Sequence, residues 1–160
     1  MTERGEQGKT QSGAGEREIV ISRLIEASRE RVFEAFTEVR HLSQWWGPDG
    51  FTTITTAFEF RVGGVWDFVM EGPDGEKYSE WITWTEILAP ERIVLLHGAF
   101  PEDPDAFQSF ITFTAEGEAT LLQMRLIFPT KEMRDEVVEK HHAIEGGQQT
   151  LSSLADYLAA

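Results

Sequence analysis

The 160-residue chain contains no cysteine. Disulfides and thiolate chemistry are therefore excluded, and zinc would have to be held by His and carboxylate ligands alone. Basic residues are scarce: 14 Lys and Arg stand against 28 Asp and Glu, a formal net charge of −14. A surface of that sign repels nucleic acid and anionic membranes, which both need a positive patch. No apolar run approaches the ~20 residues of a membrane span. No apolar stretch follows the N-terminal charges, as a secretory signal would require. These absences predict a cytoplasmic protein, monomeric or weakly dimeric, with no nucleic-acid or membrane partner. Nothing in the sequence asks for a cofactor or a metal; His141 and His142 are adjacent, and neighbouring helical side chains diverge too far to share one ion easily.

What is present is an ordinary globular balance, 41% hydrophobic and 26% charged, in a length that suits one domain. Residues 1–17, MTERGEQGKTQSGAGER, hold four glycines and no large apolar side chain beyond Met1. Such a segment cannot bury enough surface to offset its ordering entropy, so a disordered tail is expected there. A single domain is expected over 18–160.

EIVISRLIEA, from Glu18, is rich in β-branched residues and reads as a strand. Ser28 can cap a helix whose apolar stripe is Val32, Phe33, Ala35, Phe36 and Val39. HLSQWWGP at 41–48 reads as a short second helix ended by Gly47 and Pro48. Its adjacent tryptophans, Trp45 and Trp46, point about 100° apart on a helix and cannot share one buried stripe. Between residues 51 and 128 lie about six strands separated by turn signals such as GPDG at 72–75 and the acidic loop PEDPDA at 101–106. Thr130 can cap a long final helix over roughly 131–158. On it Val137, His141, Ile144, Gln148, Leu151, Ala155 and Leu158 form a narrow seam at helical spacing. Short connections favour an antiparallel sheet, and the long helix is the element able to cover its buried face.

In this order and at these spacings, five stretches carry a family resemblance: EASRERVFEAFTE at 26–38, QWWGPDGFTT at 44–53, FRVGGVWDFVMEGPDG at 60–75, EILAPERIV at 86–94 and AIEGGQQTLSSLADYL at 143–158. The sequence resembles the SRPBCC superfamily, also called START-like or Bet v 1-like, over residues 18 to 158. Within it the chain is most similar to homologues of the activator of Hsp90 ATPase 1. The resemblance implies an α+β helix-grip fold: a curved antiparallel sheet of seven strands around a long C-terminal helix, with two short helices after the first strand. It also implies an elongated, mostly apolar cavity between sheet and helix, used across the superfamily for lipids, hormones, polyketides and aromatic compounds. The link to Hsp90 belongs to a co-chaperone in which this domain is one part of a longer chain, so a chaperone partner is the third reading.

The first reading is a binding module for a small hydrophobic or aromatic molecule. The second is an enzyme on such a molecule, a cyclase, dehydratase or hydrolase, with His141 or His97 as acid or base. No catalytic residue is assigned. The expected cavity residues are these. Trp66, Phe68 and Met70 alternate along one strand, Met124 and Phe128 along another; the alternative is ordinary core. His141 and Gln148 are the polar members of the helix seam, near Ile144, and either face a ligand or sit at the helix margin. His97 ends the strand VLLHG, as a ligand donor or a satisfied core histidine. Trp84 shares a face with Glu80 and Glu86, opposite in parity to Trp81. Of Trp45 and Trp46, one is expected under the helix and the other at the cavity mouth. Gly146 and Gly147 each cost about 1 kcal/mol in a helix interior relative to Ala, which points to close packing or to room for a ligand.

Overall fold

The computed structural model describes residues 15–160. Residues 1–14 of the expected tail lie outside the described residues. Gly15–Arg17, expected to be part of that tail, instead form a 3-10 turn. The turn is held because Arg17 is tied to Phe128 through both its side chain and its carbonyl. Its Nη1 donates to the Phe128 carbonyl at 2.8 Å, and its own carbonyl accepts from the Phe128 amide at 2.8 Å.

The order is β1 (Glu18–Ile25), α1 (Arg29–Glu34), α2 (Val39–Trp45), β2 (Thr52–Phe58), β3 (Val65–Glu71), β4 (Lys77–Leu88), β5 (Arg92–Gly98), β6 (Phe107–Glu116), β7 (Ala119–Ile127), α3 (Lys131–Glu139) and α4 (Ala143–Ala159). The seven strands form one antiparallel sheet in the order β1-β7-β6-β5-β4-β3-β2. Every neighbour from β2 to β7 follows its predecessor in sequence, as short turns require. β1 pairs with β7 and forms the edge opposite β2, so the sheet is open.

Alternation decides which face is buried. Trp66, Phe68 and Met70 of β3, Ile82 and Trp84 of β4, Ile93 and Leu95 of β5, and Ile111 and Phe113 of β6 all point inward. A bulge between Trp84 and Glu86 moves Glu86 off that face. There it pairs with Arg92 at 3.2 Å, and the Arg92 and Arg125 guanidinium groups lie 5.6 and 5.7 Å from the Phe110 ring centroid. One aromatic ring between two cations is a stable way to leave the outer face wet.

α1 and α3 begin at the predicted caps, whereas α2 starts at Val39, two residues before the expected 41, with no side-chain cap. Ser28 Oγ accepts from the Arg31 amide at 3.2 Å, and Thr130 Oγ1 from the Met133 amide at 3.1 Å. The expected continuous helix over 131–158 is corrected: the chain breaks at Lys140–His142. His142 takes a left-handed conformation, φ 53° and ψ 46°, and its carbonyl accepts from the Gly146 amide to start α4. The break lets the two pieces dock independently. α3 lies on the 3-10 turn, with Arg134 Nε donating to the Glu18 carbonyl at 3.1 Å. α4 crosses β1 and α2 and buries Leu151 and Leu154. Gly147 permits this approach: a Cβ there would run into the Cδ1 of Ile21 on β1.

Candidate functional site

The space between sheet and helices is filled at one end and hollow at the other. At the filled end, α1 and α2 press Phe33, Phe36 and Trp45 onto Phe113, while Phe58, Phe60 and Trp84 pack together beneath. Ring centroids there lie 4.8 Å apart for Phe36 and Trp45 and 4.9 Å for Phe60 and Trp84. Edge and stacked contacts of this kind add to the area they bury.

At the other end lies a partly open pocket of about 220 Å³. Its floor is the inner face of β5, β6 and β7, with Leu95, His97, Phe107, Ser109, Met124 and Leu126. Its roof is the break between α3 and α4 and the first turns of α4: His141, His142, Ala143, Gly146, Gly147 and Thr150. Trp46, Gly47 and Pro48, where α2 leaves for the sheet, form one side with Met70. Ile21 of β1 completes it.

Of the residues expected from the sequence, Trp46, Met70, His97, Met124 and His141 line this pocket. Trp45 does not; it is buried and its indole N–H donates to the Ala35 carbonyl at 3.1 Å. Trp66 and Phe68 are fully buried and stack at 3.8 Å, with the Trp66 indole donating to Thr55 Oγ1 at 3.0 Å. Trp84 belongs to the filled end. Phe128 is buried behind Phe107, its ring 4.8 Å away. Ile144 packs against the core beside the pocket. Gln148 is exposed and takes no part. Within α4 the sheet-facing line runs through Gly147, Leu151 and Leu154, one position off Gln148, because Gly147 is where the helix approaches Ile21.

Two polar residues stand on the pocket floor, His97 and Ser109. The first is paired with a residue outside the lining. Glu80 of β4 and His97 of β5 share the inner face, and Glu80 Oε1 lies 2.5 Å from His97 Nε2. A carboxylate only accepts, so the proton of this contact sits on Nε2; in the tautomer that the contact selects, Nδ1 is the acceptor. Both side chains are largely buried, 16% and 20% exposed. The His97 ring is held 4.9 Å from that of Phe107. The second is Ser109. Among the described residues only Ser109 and Thr120 are polar and buried. Thr120 Oγ1 donates to the Ala27 carbonyl at 2.8 Å, whereas Ser109 Oγ is buried with no partner. In the sequence Glu80 falls on the face of Trp84 with no role assigned to it, and Ser109 gives no signal, since a serine within FQSFITF looks like ordinary strand alternation.

Elsewhere, Glu34, Glu38 and His41 bring ligand atoms within 4.8 Å of one another. Their local bonds compete with a metal: Glu38 takes Arg40 at 2.7 Å, and His41 Nδ1 meets the Tyr157 hydroxyl at 2.7 Å. No helix among the described residues is long and apolar enough to cross a membrane.

A curved seven-stranded antiparallel sheet gripping a C-terminal helix is the helix-grip fold. Within it, the family profile described as activator of Hsp90 ATPase homolog 1-like protein matches residues 26–159, and the chain belongs to that family. The solution structure of a protein from Arthrobacter aurescens is 23% identical, with a TM-score of 0.84 over 93% of this chain and 90% of that one. The crystal structure of protein NE0264 from Nitrosomonas europaea is 20% identical, with a TM-score of 0.81 over 90% of this chain and 95% of that one. DynU16, of the dynemicin biosynthetic locus, is 19% identical with a TM-score of 0.67; the match covers 90% of this chain and 48% of DynU16. At these identities the likeness is one of fold. Among curated proteins, none matches the sequence.

Proposed function

We propose that the protein binds a small, mainly apolar molecule in the pocket between the β5–β7 floor and the start of α4. One observation carries the reading: the same interior that is packed with aromatic rings at one end is hollow at the other, and the hollow is partly open to solvent. Cores are ordinarily close-packed, and a well-formed apolar concavity with a few polar groups is the usual form of a small-molecule site. Met70 and Met124 on its walls adapt to varied apolar shapes. At about 220 Å³ the pocket is smaller than common ligand sites of about 300–1,000 Å³, so it suits one or two fused rings. The reading keeps the protein in the cytoplasm, on its composition.

The Glu80–His97 pair favours a second reading, acid–base catalysis on the bound molecule. A carboxylate-held imidazole on an apolar wall can take a proton from a substrate hydroxyl or activated carbon. Two measurements separate the readings. Native mass spectrometry of the purified protein, and of Met124→Trp, tests binding: wild type retains a small-molecule mass and the pocket-filled variant loses it. Equal retention by both proteins would place the molecule elsewhere. His97→Gln then tests catalysis: conversion of the retained molecule that stops in this variant supports the enzyme, and conversion that continues unchanged removes His97 from the chemistry.

A further inference from the structure

The pocket floor carries a polar end that packing does not explain. Ser109 is 2% exposed and its hydroxyl has no partner. A buried hydroxyl without a hydrogen bond is unfavourable, and native interiors contain few of them. Here it lines an apolar pocket rather than sitting in filled core. An alanine at this position would keep the fold and avoid the orphan. The hydroxyl is therefore a group waiting for a partner that enters the pocket.

Its neighbour on the floor is His97. In the β5–β6 register Leu95 faces Ser109 and His97 faces Phe107. His97 and Ser109 are thus diagonal neighbours on one face, a relation that places Cα atoms about 7–8 Å apart. Glu80 occupies His97 Nε2, so in the neutral tautomer that this contact selects Nδ1 is the ring's acceptor. The floor therefore carries one donor, Ser109 Oγ–H, and one acceptor, His97 Nδ1, at diagonal positions among Leu95, Phe107, Met124 and Leu126.

We infer that the pocket selects an aromatic molecule bearing a neutral hydroxyl, a phenol or its fused-ring equivalent. A phenolic hydroxyl donates to His97 Nδ1 and accepts from Ser109 Oγ–H, so both floor groups are satisfied by one oxygen. A carboxylate does not suit the site: it cannot donate to Nδ1, and it meets the Glu80 carboxylate just behind the ring. A plain hydrocarbon leaves Ser109 buried and unpaired. The ring system lies against Met70, Met124 and Trp46. This inference rests on the pocket-binding reading and specifies the ligand's head group.

The test is isothermal titration of wild type, Ser109→Ala and His97→Leu with three probes of one size: 2-naphthol, 2-methylnaphthalene and 2-naphthoate. Wild type is expected to bind 2-naphthol at least tenfold more tightly than either other probe. In Ser109→Ala that preference over 2-methylnaphthalene falls to about threefold or less, with affinity for 2-methylnaphthalene itself unchanged within twofold. His97→Leu gives the same collapse, and Ser109→Ala alone suffices if His97→Leu does not fold. Equal affinity of wild type for 2-naphthol and 2-methylnaphthalene overturns the hydroxyl inference and leaves pocket binding standing. So does tighter binding of 2-naphthoate, or a preference that survives in Ser109→Ala. Binding of none of the three overturns both the pocket reading and this inference.

Discussion

Trp45 and Trp46 are adjacent in sequence, with ring centroids 5.5 Å apart and planes at 60°, yet one seals the core and the other lines the pocket. The division arises in the backbone. Trp45 is the last residue of α2, while Trp46 has already left the helix at φ −71° and ψ 128°. The change of conformation swings the second ring towards Trp66, whose centroid is 5.2 Å away. The two substitutions therefore separate stability from binding. Trp45→Ala is expected to cost about 3–5 kcal/mol, the usual loss for a large aromatic removed from a core. Trp46→Ala costs less in denaturant unfolding but weakens 2-naphthol binding at least fivefold.

The glycine pair in α4 is expected to split in the same way. A Cβ on Gly146 would meet Pro48 Cγ at 3.4 Å, ordinary van der Waals contact. Gly146→Ala therefore gains helix propensity and stabilises by up to about 1 kcal/mol. A Cβ on Gly147 would collide with the buried Ile21 side chain. Gly147→Ala is expected to be the less stable of the two by about 1–3 kcal/mol, the range for overpacking. Urea denaturation of both variants checks the order; equal stabilities would show that α4 does not rest on Ile21.

Much of this architecture was legible in the chain. β3 reads directly, because Trp66, Phe68 and Met70 alternate with Val65, Asp67 and Val69 and the pleat sends them to opposite faces. Ser28 and Thr130 mark helix starts because their hydroxyls can accept from an amide three residues on. The break at His142 was not legible. No Gly or Pro stands at 139–143, and the apolar spacing of Val137, Ile144 and Leu151 runs through it in phase. Gln148 misleads for a different reason: it fits the Ile144–Leu151 spacing, but its neighbour Gly147 is the residue that meets β1, which leaves Gln148 exposed. The polar floor was half legible: parity put Glu80 inward, but only the β4–β5 register brings it to His97.

Orphaning of Ser109 has a thermodynamic consequence without any ligand. Ser109→Ala removes a buried, unpaired hydroxyl. The unliganded variant is expected to be more stable than wild type by about 1 kcal/mol, the lower end of the penalty for such a group. Thr120→Val is the control, since it removes a hydroxyl that is bonded to Ala27 and should destabilise. Thermal unfolding of both variants reads the opposite signs. A loss of stability in Ser109→Ala would mean that the hydroxyl already has a partner in the folded protein.

On α3 the Lys131–Asp135 pair, 2.7 Å apart, sets an acid dependence. The hydrogen bond from Lys131, then that from Arg134, holds the Asp135 carboxyl below the usual carboxylate range. A lowered folded-state value means that its contribution is present above the ordinary range and is lost as pH falls through the folded value. Lys131, raised chiefly by the same bond, keeps its contribution until pH climbs through its own elevated value. Both groups face solvent, so the effect on global stability is small. Carbon-detected NMR titration should show Asp135 titrating low in wild type and returning towards the ordinary range in Lys131→Met.

The most direct test of the pocket as a binding site uses its methionines. Met70 and Met124 line it, whereas Met133 packs against the core from α3. With ¹³C-labelled methionine methyl groups, titration with 2-naphthol is expected to move the Met70 and Met124 resonances saturably, with one shared dissociation constant, and to leave Met133 in place. Absence of any saturable shift at Met70 and Met124, or equal shifts at Met70, Met124 and Met133, would contradict the account.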